Sequence, residues 1–256
     1  MPEGDAVVRT ARRLDRALAG QVLTASDFRV PQHATADLSE GVVVGTITRG
    51  KHLFTRVDRG EEQFSLHTHL KMEGSWRVYE PGQKWSRPGH QARVVLTTAE
   101  RSAVGFSLGV VELLPRDRED EPVAHLGPDV LGPDWDAEEA ARRLREHPHT
   151  PIRDALLDQR NLAGIGTMWA AEACFAVRVN PQAAVAAVPD LTALVSKAHD
   201  LMSASVRDHR QQLWVYGRRR LPCPRCRTPI RGEDTGPLGR ERPSYWCPTC
   251  QPADQS

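Results

Sequence analysis

The sequence predicts an α+β fold: a helix and an antiparallel β-sandwich, then a helical domain, then a small terminal hairpin held by cysteines. Three observations predict it. From Val22 to about Leu114, short runs rich in Val, Leu and Thr follow one another without intervening helices, which is typical of a sandwich or barrel. After residue 134 the apolar residues take helical spacing. Near the C-terminus, four cysteines form two Cys-x-x-Cys pairs.

Length and composition limit the class of protein. With 256 residues, of which 39% are hydrophobic and 26% charged, we expect a globular chain of one large domain, or of two medium domains and a small module. No apolar run reaches about 18 residues, so no membrane span is predicted. Residues 1–20 lack the apolar core of a signal peptide, which predicts a cytoplasmic protein.

The charge is unevenly distributed along the chain. The net charge of +1 does not indicate a nucleic-acid partner, but residues 201–256 contain ten arginines against five acidic residues. Three of these arginines are consecutive, at positions 218–220. A polyanion can bind such a surface, and a solvated basic surface has the same composition, so charge alone leaves both interpretations open.

The N-terminus combines a potential nucleophile with a helix. A helix is predicted over residues 5–20, with its apolar face formed by Val8, Ala11, Leu14 and Leu18. Its positive N-terminal end lies beside Pro2 and Glu3 and favours a carboxylate or a phosphate. Once Met1 is removed, Pro2 is a secondary amine that can attack an electrophilic carbon, and Glu3 can transfer protons. Many proteins begin with Met-Pro and have no such chemistry, so the rest of the chain must decide.

The middle of the sequence predicts strands joined by short turns. Six strands are predicted individually, at Val42–Thr48, Leu53–Val57, Glu62–Leu66, Ser75–Tyr79, Ala92–Thr98 and Ala103–Leu108. Lys51 lies in a turn between two of them, where a lysine is normally a solvated surface residue.

The polar segment 67–76 is unusual because it contains apolar residues where exposed ones are unexpected. Met72 is either a flexible core filler or a wedge that enters a base stack. His67 and His69 have ligand-like spacing for one face of a strand, but no third ligand is evident, so we interpret them as structural.

Helices follow a segment with the composition of a hinge. Residues 115–133 are charged and rich in Pro and Gly. Gly164 and Gly166 then permit a tight turn between two predicted helices; Thr167 can cap the second, and the backbone N–H groups can hold a phosphate. Such turns are also common in ordinary helical domains.

One cysteine lies outside the paired set. Cys174 is expected to be a buried apolar residue. The predicted helices are Asp136–Glu146, Pro151–Gln159, Thr167–Val177 and Leu191–Gln211.

The cysteine pattern is the most specific signal in the sequence. Twenty residues separate the pairs formed by Cys223, Cys226, Cys247 and Cys250. In a cytosolic chain such pairs indicate a metal site, and four thiolates complete the tetrahedral coordination of Zn²⁺ without a water ligand. We therefore expect one structural zinc. Arg242 lies between the pairs, where a rigid hairpin presents its planar fork to a phosphate.

Taken together, these motifs resemble the Fpg/Nei family of DNA glycosylase/AP lyases, and most of all its bacterial endonuclease VIII (Nei) branch. The resemblance implies a helix–two-turn–helix motif and a Cys₄ zinc-finger hairpin. It also implies a β-sandwich catalytic domain at 1–115, a hinge at 116–134, a DNA-binding helical domain at 135–217 and a zinc finger at 218–256. The matching segments are Met1–Asp5, Gly50-Lys51, Leu126–Leu131, Ala163–Gly166 and Arg242–Gln251.

The resemblance implies catalytic roles for four residues. Pro2 attacks C1′ of the damaged nucleoside, expels the base and forms a Schiff base. Glu3 shuttles protons during sugar opening and elimination. Lys51 contacts the phosphate backbone and assists elimination, and Arg242 grips the phosphate beside the flipped nucleotide.

Four further residues are implied to contact DNA, two of them with departures from the family pattern. Lys71 and Met72 match the loop that fills the gap left in the duplex. Thr167 stands where the family usually has an Asn that contacts phosphate, and His125 stands where the Nei pattern has Arg. A hydroxyl donates one hydrogen bond but does not replace an amide, and the loss of Arg removes a permanent charge. Both departures predict a weaker or altered grip on duplex DNA.

The resulting prediction is a bifunctional DNA glycosylase/AP lyase of base-excision repair that removes oxidised bases, with pyrimidines as the expected lesions. We expect a monomer that acts on damaged DNA in the bacterial cytoplasm, associated with the nucleoid. The alternative, motivated by Thr167 and His125, is a family member that binds damaged, single-stranded or abasic DNA and excises bases weakly. A zinc-ribbon protein that binds other proteins or RNA requires the N-terminal match to be a coincidence.

Overall fold

The computed structural model describes residues 2–208, 213–236 and 241–253. The chain divides into two compact units, Met1–His125 and Leu126–Ser256. The division falls inside the segment that the sequence predicts as a hinge. No helix in the described part of the chain is long and apolar enough to cross a membrane.

The first unit consists of one helix and two four-stranded antiparallel sheets, with the strand orders β1-β6-β7-β5 and β2-β3-β4-β8. Apolar side chains from the helix and from both sheets share one core, which confirms the predicted sandwich. The elements are α1 (Gly4–Leu18), β1 (Leu23–Phe28), β2 (Val42–Arg49), β3 (His52–Arg59), β4 (Glu62–His69), β5 (Ser75–Tyr79), β6 (Ala92–Thr98), β7 (Ser102–Phe106) and β8 (Val110–Pro115).

Helix α1 packs one face against the sandwich. Its buried face runs through Val7 and not, as the sequence predicts, through Val8; the other buried positions of that face are the expected Ala11, Leu14 and Leu18. The helix ends at Leu18, two residues before the predicted end, and Gly20 follows with a φ of +76°. A positive φ suits glycine because it has no Cβ, so Gly20 belongs to the turn and not to the helix.

The outer face of the sheet β2-β3-β4-β8 is covered by the residues that follow β8. Glu119, which is buried, accepts hydrogen bonds from Arg56 Nε at 3.0 Å and from Ser65 Oγ at 2.8 Å. Arg116 pairs with Asp58. The segment predicted as a hinge therefore begins as an ordered cover of the sheet, held by these pairs.

The second unit has a helical core followed by a two-stranded hairpin. Four helices and the turns between them enclose a separate apolar core. The elements are α2 (Ala137–Arg145), α3 (Ile152–Leu157), α4 (Thr167–Ala176), α5 (Leu191–Asp208), β9 (Arg231–Thr235) and β10 (Arg242–Trp246). The predicted end of the last helix, at residues 209–211, lies outside the described residues.

Candidate functional site

Pro2 and Glu3 lie at the N-terminal end of α1. Pro2 is half-buried, and Glu3 occupies the cap position with an extended backbone and only 6% exposure. Asp5, also buried, accepts a hydrogen bond from Arg9 Nη1 at 2.8 Å. A helix N-terminus carries partial positive charge, so this end of α1 suits the buried carboxylate of Glu3 and an incoming anion. The arrangement places a potential proton carrier directly beside Pro2.

Lys51 lies in the turn between β2 and β3, as predicted, but it is not a solvated surface residue. It is only 7% exposed. Gly50, before it, has a φ of +57° and allows the tight turn. A lysine is rarely buried to this extent unless its ammonium group has partners. The expectation of an ordinary surface lysine is wrong at this position, because tertiary packing closes over the turn.

The loop after β4 contains one buried and one exposed apolar residue. Leu70 belongs to the sandwich core, whereas Met72 is 70% exposed. The loop is closed by a hydrogen bond from Gly74 N to the carbonyl oxygen of Leu70 at 2.9 Å. Of the two interpretations of Met72, the core filler is excluded, and an exposed side chain that can enter a base stack is retained.

Three histidines cluster on the outer face of the sheet beside this loop. His52 Nδ1 lies 2.8 Å from His67 Nε2, and His67 Nδ1 lies 2.7 Å from an oxygen of Glu112. His69 Nδ1 accepts the backbone N–H of Lys71 at 2.9 Å. The sequence shows no third imidazole near His67 and His69; the pairing of β3 with β4 supplies one by bringing His52 beside them. Within the described ranges, however, only the four cysteines are grouped closely enough to hold a metal ion.

The environment keeps these imidazoles neutral. Burial, and then the proximity of the His69 and His67 rings, lowers the pKa of His52 to about 3. Burial and the charge of Lys71 lower the pKa of His69 to about 4. Burial also lowers the pKa of His67, against the opposing effect of Glu112. His125 is exposed at the end of the first unit, and its charge contributes to the lowered pKa of His52.

In the second unit, α3 and α4 are joined by a turn that is held by side-chain hydrogen bonds. Gln159 donates to the carbonyl oxygen of Ile165 at 3.0 Å and accepts from Gly164 N at 3.0 Å. Gly166 occupies the cap position, and Thr167 is the first residue of α4. The prediction that Thr167 caps this helix is therefore wrong, because the glycine before it takes the extended backbone of the cap. Thr167 is half-buried at the helix N-terminus, where anions bind favourably.

Cys223, Cys226, Cys247 and Cys250 have their Sγ atoms within 4.8 Å of one another. The Cys223–Cys250 and Cys226–Cys247 Sγ distances are 3.9 and 3.4 Å. These values are too long for a disulfide, which needs about 2.05 Å. They suit four thiolates around one tetrahedral ion, since a Zn–S bond of about 2.3 Å separates the sulfurs by roughly 3.8 Å. The donor set and its spacing fit one structural metal ion.

Arg242 is exposed at the start of β10, and its backbone is held from α3. Arg153, only 4% exposed, donates from Nη2 to the carbonyl oxygen of Arg242 at 2.7 Å and from Nη1 to that of Thr235 at 3.1 Å. Thr235 and Arg242 are cross-strand partners. Sequence reasoning missed Arg153, because nothing in the pattern of a short helix distinguishes it from a solvated arginine.

A second buried charge that sequence reasoning missed is Glu172 in α4. Its carboxylate accepts three backbone N–H groups, those of Trp214, Val215 and Tyr216, at 2.8 to 3.0 Å. Burial raises the pKa of Glu172, and the three backbone donors oppose that effect. Glu172 thus joins α4 to the segment that leads into the cysteine hairpin. Cys174, in the same helix, is fully buried as predicted, and burial raises its pKa to about 12.

Comparison with known protein families matches most of the first unit and the helical part of the second. Residues 1–107 match the family model described as the formamidopyrimidine-DNA glycosylase N-terminal domain, and residues 126–214 match that of the formamidopyrimidine-DNA glycosylase H2TH domain. The chain belongs to the formamidopyrimidine-DNA glycosylase family. The resemblance inferred from the five motifs is thereby confirmed, and so is the predicted fold class.

Relatives within the family extend over almost the whole chain. The chain is 51% identical to the probable endonuclease 8 2 of Streptomyces coelicolor, across 98% of this chain and 94% of the relative. It is 44% identical to the DNA-(apurinic or apyrimidinic site) lyase Nei2 of Mycolicibacterium smegmatis, across 99% of this chain and 100% of the relative.

Solved structures of the family share the fold at lower identity. The formamidopyrimidine-DNA glycosylase of Lactococcus lactis, bound noncovalently to DNA that contains an AP site, matches with a TM-score of 0.84 at 20% identity. The match covers 98% of this chain and 99% of that one. A structure of MutM with DNA that contains carbocyclic 8-oxo-G matches with the same TM-score and identity, across 98% of this chain and 100% of that one.

Proposed function

We propose that this protein is a bifunctional DNA glycosylase/AP lyase of base-excision repair that removes oxidised bases through its N-terminal proline. The observation that carries the proposal is Pro2 at the positive end of α1, beside the buried carboxylate of Glu3, in a chain of this family. Oxidised pyrimidines are the proposed lesions, because the N-terminal motif Met1–Asp5 resembles that of the endonuclease VIII branch.

The chemistry begins with the removal of Met1, which frees the secondary amine of Pro2. Its nitrogen bonds to C1′ of the damaged nucleoside, the glycosidic C–N bond breaks, and the base leaves with a proton. Opening of the sugar leaves an iminium between Pro2 and C1′. The iminium acidifies the C2′ protons; loss of one breaks the C3′–O bond on the 3′ side, and a second elimination breaks the C5′–O bond on the 5′ side. Water then hydrolyses the iminium, which releases the sugar fragment as an aldehyde and a proton and restores the amine of Pro2.

Three further residues support these steps. Glu3, buried beside Pro2, transfers protons to the opening sugar and from C2′. Lys51 holds the phosphate backbone and stabilises the negative charge that forms during elimination. Arg242, presented on the hairpin, grips the phosphate beside the flipped nucleotide. When bound, a zinc ion at the four cysteines stabilises the hairpin and takes no part in the reaction.

The damaged base must leave the stack before Pro2 can reach its sugar. Flipping costs a few kcal/mol, and least for a damaged or mispaired base, so the cost itself favours lesions. The exposed Met72 fills the gap in the stack, with Lys71 beside it. Thr167 and His125 are proposed to contact the phosphates, with a weaker grip than the Asn and Arg typical of the family. We propose that the protein acts as a monomer on the bacterial nucleoid, in the cytoplasm.

Borohydride trapping tests the proposal directly. With duplexes that carry an oxidised pyrimidine or an abasic site, the wild-type protein should form a covalent adduct, and Pro2→Gly should lower its rate of formation at least about 100-fold. Protein that retains Met1 or carries an N-terminal tag should also form almost no adduct, because its proline nitrogen is part of a peptide bond and is not a free amine. Pro31→Gly makes the same substitution at an exposed proline and is the matched control.

Two results would contradict the mechanism: no adduct with wild type, or equal trapping by Pro2→Gly. The alternative of a DNA-binding protein with weak excision is not favoured, because the relatives described above are named as endonucleases and as an AP lyase. Turnover on single-stranded and double-stranded substrates still distinguishes the two, since robust excision from duplex DNA contradicts the alternative.

A further inference from the structure

The loop that carries Lys71 and Met72 depends on an uncommon backbone conformation. Lys71 has a φ of +52°, in the left-handed region that disfavours residues other than glycine. Its N–H donates to His69 Nδ1 at 2.9 Å, and its side chain lies over Gly109, where a Cβ would come within 2.2 Å of Lys71 Cγ. The direction of Met72, the next residue, is therefore set by His69 and by the absence of a side chain at Gly109.

This contact requires one particular protonation state of His69. To accept the N–H of Lys71, Nδ1 must carry a lone pair, so a neutral His69 has its proton on Nε2. Burial and the charges of Lys71 and Lys51 lower the pKa of His69 to about 4 and keep the ring neutral at physiological pH.

The orientation of the His69 ring is fixed by a column of aromatic rings on the same face of the sheet. Phe54 stacks on His67 with centroids 4.7 Å apart, and His67 stacks on His52 at 5.0 Å. His52 meets His69 edge to face at 4.8 Å. Because His52 and His69 are cross-strand partners, a rotation of His52 displaces the neighbouring ring.

A directed chain of hydrogen bonds fixes the column. An ionised carboxylate can only accept, so Glu112 takes the Nδ1–H of His67 at 2.7 Å. The Nε2 of a neutral His67 then accepts the Nδ1–H of His52 at 2.8 Å. The chain begins at Glu112, whose side chain is 46% exposed, and ends at a ring that contacts His69.

We propose that Glu112, His67 and His52 are positioning residues that fix His69 and, through it, the backbone of Lys71 and the direction of Met72. The inference rests on the proposed function only in that Met72 enters the gap in the duplex. None of the three residues needs to touch DNA or the reacting atoms. They affect how well Met72 stabilises the duplex with the damaged nucleotide flipped out, and not the reaction of Pro2 with the sugar.

Nuclear magnetic resonance tests the chain without any DNA. At pH 8, long-range proton–nitrogen spectra should show His67 and His52 as neutral Nδ1–H tautomers and His69 as the neutral Nε2–H tautomer. His52 and His69 should stay neutral down to about pH 5. The groups that face the rings, Lys51, Lys71, Glu112 and His125, are not substituted in this experiment. A His69 that titrates near pH 6.5, or that carries its proton on Nδ1, would overturn the proposal.

Enzyme variants test the consequence for Met72. Glu112→Leu removes the acceptor at a half-exposed position, and His67→Phe keeps the stacked ring but removes both hydrogen bonds. Each should slow trapping on duplex abasic DNA about tenfold, since a small misplacement of a supporting group has effects of that size. Glu62→Leu, at an exposed position of the same strand β4 as His67, is the control and should leave the rate unchanged.

Single-stranded abasic DNA separates positioning from general damage to the protein. Single-stranded DNA has no base-pair stack and so no gap for Met72 to fill. The variants should therefore form the trapped adduct with it at the wild-type rate. In a Met72→Ala background, Glu112→Leu should have no further effect on duplex DNA, because both changes act at one step. Equal losses on both substrates, or no loss on either, would overturn the inference. If wild type traps neither substrate, the proposed function fails instead.

Discussion

Glu172 shows how much a single buried residue contributes to the second unit. Its carboxylate is the acceptor for three consecutive backbone N–H groups of the segment that leads into the cysteine hairpin. Glu172→Ala leaves these donors buried without an acceptor and should lower the free energy of unfolding by about 2–4 kcal/mol. Glu172→Gln keeps one acceptor oxygen and should cost about half as much.

Urea denaturation of the full chain measures this difference. Glu138→Ala, at an exposed position of α2, is the control and should change the free energy of unfolding by less than about 0.5 kcal/mol. If Glu172→Ala proves as mild as the control, the three hydrogen bonds do not hold the segment.

At the scale of residues, the sequence predicts which side chains could react or bind a metal better than it predicts their burial and contacts. The cysteine spacing and the position of Pro2 depend only on neighbouring residues, so the sequence alone identifies them. The burial of Lys51 and the contacts of His52 depend on strands that pair across the sheet, so no local pattern reveals them. Arg153 has the same limitation, because its partners on the hairpin, Thr235 and Arg242, lie more than eighty residues away.

At the scale of elements, the hairpin β9–β10 is fixed by Arg153 as well as by the cysteines. Arg153 donates to the backbone oxygens of both Thr235 and Arg242, where the two strands pair. Arg153→Met removes these two hydrogen bonds, together with those to Thr235 Oγ1 and Asp154, and leaves the fork of Arg242 on a less ordered strand. The affinity of the Arg153→Met protein for duplex DNA with an abasic site should fall about tenfold. A loss of this size is expected when one or two buried hydrogen bonds to a charged group are removed.

Fluorescence anisotropy with labelled duplex measures that affinity. Arg153→Lys retains a donor but not the planar fork, so it should lie between wild type and Arg153→Met. Arg142→Met removes the same charge from the exposed face of α2 and should bind as wild type does. Equal losses in Arg142→Met would mean that net charge, and not the hairpin, is responsible.

The strands illustrate which elements local patterns can predict. All six predicted runs coincide with strands, because they are short, rich in Val, Leu and Thr, and bounded by clear turns. Local patterns do not predict β1 and β8 individually. Half of the residues of β1 (Leu-Thr-Ala-Ser-Asp-Phe) are polar, and it is a strand because it pairs with β6. Pairing in the folded sheet overrides its weak local preference. β8 is apolar enough for a strand, and its pairing with β4 fixes its bounds.

At the scale of the whole molecule, the order of the parts follows from composition. The change from strand to helix and then to paired cysteines predicts the sequence of sandwich, helical domain and hairpin. What composition does not predict is that residues 116–125, six of which are charged, cover the sheet through contacts among Arg56, Glu119 and Ser65. These polar contacts form only when the sheet has folded. A flexible linker and a segment that packs on a sheet therefore have the same composition.

The cysteine hairpin is the part of the molecule whose stability should depend on metal. It shares a small apolar cluster with α4, in which Cys223 and Cys247 pack with Phe175, Val215 and Ile230. Arg225 adds a hydrogen bond to the carbonyl oxygen of Phe175 at 2.7 Å. Removal of the ion leaves four thiol groups with no partner to hold them together, and the cluster is too small to fold the hairpin alone.

We therefore expect a chelator to unfold the hairpin and to abolish DNA binding, while the sandwich of the first unit stays folded because its core contains no metal ligand. The fluorescence of Trp214 and Trp246, which lie beside this cluster and on β10, should change, and anisotropy should show loss of binding. Cys226→Ser should have the same effect without chelator, whereas Cys174→Ser, away from the four sulfurs, should keep DNA binding and one bound zinc. A chelator that removes the ion but leaves both DNA binding and the hairpin intact would contradict a structural metal, since the four sulfurs would then hold nothing that the fold requires.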